Sequence, residues 1–287
     1  MVFWRTPWEH VARCIKSHPS SPTGSNATEA TDLVEVQQFL HAHFRMHPDV
    51  ICTIPLEELT HDVILIVRDQ TTLIACIRYH LAGIYEGKQI HTVDYFCVHP
   101  IWRGKGVGDY LLHELHHRMD KKPYAIFLKE GTPLPALPLY GSTYVYREVH
   151  PIPIPHVTDI SEDLAYKIMK IHQQFRPFVM IYTTTSNQRW RLYKQGIHHV
   201  LCCVQDTYQV LHGKRMGWIT AWIESPGLPD TMRADASYQL SSVYDMIWMD
   251  KNHIGDSTEW TEDGSFYWYT YQWTPSTAVG QSYCFIH

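Results

Sequence analysis

"VDYFCVHPIWRGKGVGDYLLHELHH", residues 93–117, joins two patterns that ask for different chemistry. Its first half leaves an apolar strand through His99-Pro100, enters a glycine-rich turn and continues into a helix expected over about 108–119. Arg103-Gly104-Lys105-Gly106-Val107-Gly108 reads RxxGxG. Glycines remove the side chains that block close approach, so successive backbone N–H groups can converge on a phosphate. The N-terminus of the following helix adds its dipole to that attraction. Arg103 and Lys105 add positive charge at the rim. The second half, His113-Glu114-Leu115-His116-His117, satisfies HExxH, the signature of zinc hydrolases.

The helical wheel separates the two readings. Val107, Gly108, Leu111, Leu112, Leu115 and Met119 form one apolar stripe, which places His113 and His117 on the opposite, solvent-facing side. Zinc needs further ligands, and Asp120 stands where the extended metzincin motif requires glycine. We therefore expect no metal. A dinucleotide fingerprint would need GxGxxG opening a βαβ unit. Here the glycines are spaced differently and the preceding strands read as antiparallel. The phosphate cradle is the reading that survives.

Outward from this stretch, "VILIVRD" (63–69), "TLIACIRYHLAGI" (72–84) and "TVDYFCV" (92–98) read as successive strands joined by short turns, and so as antiparallel neighbours. A helix is expected before them over 30–44, with Thr31 and Asp32 as cap candidates, and a short strand after them over 124–129. "HPIPIPHV" (150–157) alternates proline with apolar residues and marks a linker. Beyond it the order recurs: a helix over 161–175 and strands over 198–211 and 216–225. A helical stretch around 237–248 and an aromatic strand over 265–273 complete the series. The spacing predicts two halves, 1–150 and 151–287, with a phosphate-binding turn in the first alone.

Composition bounds the rest. The chain has 287 residues, 45% hydrophobic and 18% charged, enough apolar content for a substantial core. A formal net charge of -5, with no basic run longer than a pair, gives no electrostatic footprint for nucleic acid. No apolar window is long enough for a transmembrane helix or a secretory signal, and seven cysteines without a CxxC pair fit reduced thiols. The expectation is a cytoplasmic protein, monomeric, without an integral membrane segment.

At residues 93–112 the chain resembles the acyl-CoA-binding motif of the GNAT acyltransferases. "YFCVHPIWRGKGV", "EGTPLPALPLYGSTYVYRE", "DTYQVLHGKRMGWITAWIESPG" and "DGSFYWYTYQWTPSTAVGQSYCFIH" resemble, in this order, segments of the N-myristoyltransferases. That resemblance implies an α/β fold of two fused GNAT-like halves, with a central, mostly antiparallel mixed sheet flanked by helices. It implies acyl-CoA, as myristoyl-CoA or acetyl-CoA, held by Cys97, Val98, Arg103, Gly104, Lys105, Gly106, Val107 and Gly108. The acceptor it implies is the N-terminal glycine of a peptide or protein, or a small amine.

Attack of an amine on a thioester builds charge on the carbonyl oxygen, which needs preorganised donors. The resemblance assigns these to the backbone amides of Tyr95 and Phe96, and the general base to the terminal carboxylate of His287. A bulge at the strand end would free such amides. Other candidate bases are Asp94, Glu130 and the His287 imidazole; Tyr140 and Tyr144 are candidates to protonate the leaving thiolate. Cys97, inside an apolar strand, reads as a small buried hydrophobe rather than a nucleophile.

Overall fold

The structure, a computed structural model, describes residues 20–44, 49–60, 62–119, 124–134, 136–150, 153–175, 178–181, 187–255, 259–273, 275–276 and 283–285. In chain order these carry β1 (Thr28–Glu29), α1 (Leu33–His43), β2 (Val50–Cys52), β3 (Val63–Asp69), β4 (Thr72–Tyr85), β5 (Lys88–Val98), α2 (Val107–Arg118), β6 (Ala125–Glu130) and β7 (Tyr140–Glu148). There follow β8 (Val157–Ile160), α3 (Glu162–Phe175), β9 (Met180–Ile181), β10 (Gln188–Gln195), β11 (His198–Leu211), β12 (Lys214–Glu224), α4 (Asp230–Leu240), β13 (Met246–Asp250), β14 (Thr261–Tyr271) and β15 (Tyr283–Phe285).

The strands form one mixed sheet whose main path runs β1-β3-β4-β5-β6-β14-β7-β13-β12-β11-β10-β8. Most pairings are antiparallel. β5–β6, β12–β13 and β9–β15 are parallel.

Helices cover both faces, which is why the strands read as near-continuous apolar runs rather than alternating ones. On β3, Leu65 and Val67 point to α2, where they pack with Leu111 and Leu115. Ile64 and Ile66 point the other way, to Val36 and Leu40 of α1. The second half repeats this arrangement. Leu201 and Cys203 of β11 pack with Ala165 and Met169 of α3. Val200, Cys202 and Val204 pack with Ala236 and Leu240 of α4. Between the halves lies an aromatic cluster that includes Tyr144, Trp218, Trp248, Phe266, Trp268 and Tyr283.

Two sequence expectations change. The helix expected over 237–248 is instead the end of α4 followed by β13, whose five residues Met-Ile-Trp-Met-Asp are all buried between β7 and β12. A run of four apolar residues has no period to separate a buried strand from a helix, and here sheet pairing decides. The apolar face of α2 is also wider than expected. Tyr110 and His113 are buried with Val107, Leu111 and Leu115, and His113 is only 3% exposed. Its flank is closed by the chain at Ala27, whose N–H donates to the Tyr110 hydroxyl at 3.0 Å and whose carbonyl accepts from Arg118. No helix among the described residues is long and apolar enough to cross a membrane.

Candidate active site

The antiparallel register of β4 and β5 breaks near the end of β5. Arg78 pairs with Asp94 and Cys76 with Cys97, so Ile77 alone stands opposite both Tyr95 and Phe96. This one-residue bulge carries Tyr95 at φ +42°, in the left-handed region that a bulky residue rarely enters. The Tyr95 ring is held by an edge contact with Phe44 at 5.6 Å and by the Arg78 guanidinium 4.1 Å from its centroid. Phe96 turns outward and is 40% exposed.

On the other side of β5, pairing with β6 is confined to His91–Ala125 and Thr92–Ile126. Beyond those pairs a cavity of about 570 Å³ opens between the two strands, lined by residues 93–96 of one and 127–130 of the other. Its opposite wall comes from the second half: Asp206, Thr207, Tyr208 and Gln209 of β11, Met216 and Trp218 of β12, Trp248 and Phe266. β11 is bulged here too. Asp206 pairs with Gly217 and Val210 with Arg215, so three residues face Met216, and Tyr208 has φ +54°. Two bulged strands thus face each other across one cavity.

The glycine turn lies beside this cavity rather than in its wall. Arg103, Gly104, Lys105 and Gly106 are exposed, and the cavity touches α2 only at Asp109 and Leu112. Gly104 and Gly106 have φ +73° and +81°, and Gly106 caps the N-terminus of α2. Gly108 answers a different need: a Cβ there would sit 3.0 Å from the Phe96 ring, so the glycine lets the helix approach the bulge. Arg103 Nε donates to the Val98 carbonyl at 3.0 Å, and the Lys105 ammonium lies 4.9 Å from the Trp102 ring centroid. The side chains of Cys97 and Val107 are buried, which leaves only their backbones to meet a ligand. Burial pushes the Cys97 thiol up to about 12, an inert state for a nucleophile.

Of the candidate acids and bases, Asp94 and Glu130 both line the cavity. Asp94 accepts from Arg78 Nε and Nη2, each at 2.6 Å, so both its oxygens are engaged. Glu130 is more open, and burial followed by the nearby Asp263 raises its carboxyl above the ordinary value. Tyr140 and Tyr144 do not reach the cavity wall: Tyr140 donates to Asp250 at 2.6 Å, and Tyr144 is buried against Trp248 and Phe266. His287 lies outside the described residues; β15, which ends at Phe285, is held by β12 and β9.

The HExxH residues form no such site. His113 and His117 meet each other, with Nε2 atoms 2.9 Å apart, and no group of three or more His, Cys, Asp or Glu that could hold a metal comes together among the described residues.

Sequence reasoning missed Arg78, Glu58 and the bulge of β11. One signal was available for Arg78. An arginine inside "LIACIRYH" needs a buried partner, and the hairpin register brings Asp94 opposite it.

The acetyltransferase (GNAT) domain family model matches residues 60–142, the span that holds β3 to β6, the bulge and the glycine turn. No curated protein matches the chain in sequence. Among solved structures, Saccharomyces cerevisiae N-myristoyltransferase with bound myristoyl-CoA superposes with a TM-score of 0.61 at 13% identity, covering 89% of this chain and 87% of that one. A second structure of the yeast enzyme, with myristoyl-CoA and inhibitors, gives 0.60 at 11% identity, covering 90% and 85%. Residues 60–142 therefore match the acetyltransferase (GNAT) domain model, and the chain as a whole has the fold seen in N-myristoyltransferase.

Proposed function

We propose that the protein is an acyl-CoA-dependent N-acyltransferase that passes a long-chain acyl group directly to an amine, the N-terminal glycine of a peptide being the leading acceptor. The bulge at Tyr95 and Phe96 carries this reading. It takes two backbone amides out of the β4 register at the edge of a cavity, beside a helix N-terminus opened by glycines. Those amides are suited to the oxygen of a thioester carbonyl as it gains charge. The turn from Arg103 to Gly108 is suited to the pyrophosphate of CoA, with Cys97 and Val98 contributing backbone alone. The aromatic wall of the cavity and the fold shared with enzymes crystallised with myristoyl-CoA favour a long acyl chain over acetyl.

The proposed transfer uses no covalent acyl-enzyme: Cys97, the thiol beside the bulge, is buried, and burial raises its pKa. The amine attacks the thioester carbon, the tetrahedral intermediate collapses, and CoA leaves as the thiol. Glu130, raised in pKa and open to the cavity, is the described carboxylate best placed to relay the amine's proton.

Titration of CoA into wild-type and Gly108→Glu protein by calorimetry, together with thiol release from myristoyl-CoA and acetyl-CoA in the presence of a glycine-starting peptide, tests the reading. The wild type should bind CoA and release thiol only when the amine is present. Gly108→Glu should lose CoA binding by about two orders of magnitude, since its side chain displaces Phe96. Folded wild type that ignores CoA, or a variant that binds it equally well, overturns the proposal.

A further inference from the structure

The part of the cavity wall around Arg78 has its own chemistry. Arg78, 3% exposed, is the hub: besides Asp94 it donates to the Glu58 carbonyl at 2.9 Å and to Asp62 at 3.3 Å, and approaches the Glu58 carboxylate at 3.5 Å. Glu58 in turn accepts from the Tyr208 hydroxyl at 3.0 Å, so the two halves meet at this carboxylate. Three carboxylates thus surround one guanidinium, with His80 Nδ1 3.5 Å from Asp94. Burial, ahead of the opposing pull of Arg78, raises the Glu58 carboxyl above its ordinary value.

An independent observation lies next to Tyr208. Gln209, on the bulged stretch of β11, lines the same cavity and is 6% exposed, yet its Oε1 has no donor among the described residues. A buried acceptor left without a donor is costly, and a ligand N–H removes that cost. A group that supplies donors only and brings positive charge fits both features: a primary ammonium has three donors and no acceptor.

We infer that Glu58 and Gln209 form the seat for a primary alkylammonium, so that the acceptor taken up by this cavity is a cationic amine rather than a neutral amine or an alcohol. This assignment rests on the acyl-transfer reading for its place in a reaction, but not for the binding itself. The Glu58 carboxylate supplies charge, Gln209 Oε1 supplies a directed acceptor, and Tyr208 and Arg78 hold Glu58 in place. With Asp94 consumed by Arg78, Glu58 is the carboxylate of this network with an oxygen whose partner, a tyrosine hydroxyl, can be shared with a ligand.

Calorimetric titration of 1,4-diaminobutane and of its neutral counterpart 1,4-butanediol into the full chain tests the seat, with CoA titrated in parallel into the same preparations. Diaminobutane should bind saturably and the diol should not. Glu58→Gln should weaken the diamine at least about tenfold, as loss of a charge-assisted hydrogen bond does, and Gln209→Leu several-fold, while both keep wild-type CoA affinity. Equal binding of diamine and diol, or unchanged diamine affinity in folded Glu58→Gln, overturns the seat. Failure to bind CoA strikes the acyl-transfer reading instead, so the two outcomes are distinct. If Glu58→Gln does not fold, Gln209→Leu, which breaks no side-chain hydrogen bond among the described residues, decides alone.

Discussion

Tyr95, Gly106 and Gly108 show how unequally single positions announce themselves. A tyrosine at φ +42° costs about 1–2 kcal/mol and carries no mark in the sequence, because its conformation is imposed by Phe44, Arg78 and the register of β4. The glycines are legible, yet for two different reasons that the sequence does not separate. Gly106 is needed for its backbone, at φ +81°, and Gly108 for the space that Phe96 occupies. Gly106→Val is therefore expected to harm the fold as well as the ligand site. A β-branched residue in the left-handed region should lose about 1–2 kcal/mol, or roughly 2–8 °C in Tm for a chain of this size, and weaken CoA at the same time. Arg103→Ala, at an exposed position whose Nε bonds only the Val98 carbonyl among the described residues, should leave Tm within about 1 °C and weaken CoA less. Scanning calorimetry with and without CoA checks both. An unshifted Tm in Gly106→Val would mean that the turn does not hold this conformation in solution.

Elements were easier to read than their environments. The strands Val63–Asp69 and His198–Leu211 have the bounds read from the sequence, since both are bounded by turns and covered on both faces. β13 was misread because its side chains say only that it is buried, and its partners lie about 30 residues away in β12 and about 100 away in β7. For α2 the helix itself is in place and its buried face was misjudged: an amphipathic wheel assumes one covering surface, whereas the chain at Ala27 supplies a second. His113 and His117, equivalent as ligands in HExxH, are therefore unlike in packing. His113→Ala should cost about 1–3 kcal/mol, through the buried volume it gives up, and His117→Ala, on the exposed side, about 1 kcal/mol or less, since the Nε2 contact is lost in both. Urea unfolding of the two variants measures the difference. Equal costs would place His113 at the surface after all.

At the scale of the whole molecule the repeated order of elements hides an exchange. β5, α2 and β6 in the first half correspond to β12, α4 and β13 in the second, each with a parallel pair across its helix. The strands that follow them change places: β14 pairs with β6, and β7 pairs with β13, while β7 and β14 pair with each other. A duplication is visible in the order of elements, but an exchange of partners is not, because aromatic strands such as β7 and β14 suit either neighbour. The cavity depends on it, since both halves line its walls. It follows that the halves should not be independent folding units. A fragment of residues 1–150 leaves β6 without β14 and β7 without either neighbour, and it strips Trp218, Trp248, Phe266 and Trp268 from the aromatic cluster. Such a fragment should be insoluble or lack cooperative unfolding on its own, and regain structure when produced together with residues 151–287. The intact chain should unfold in one transition, seen alike by tryptophan fluorescence and far-ultraviolet dichroism. A fragment 1–150 that unfolds cooperatively, or two separated transitions in the intact chain, would show that the exchanged strands do not bind the halves into one unit, and would remove the physical basis for a cavity shared between them.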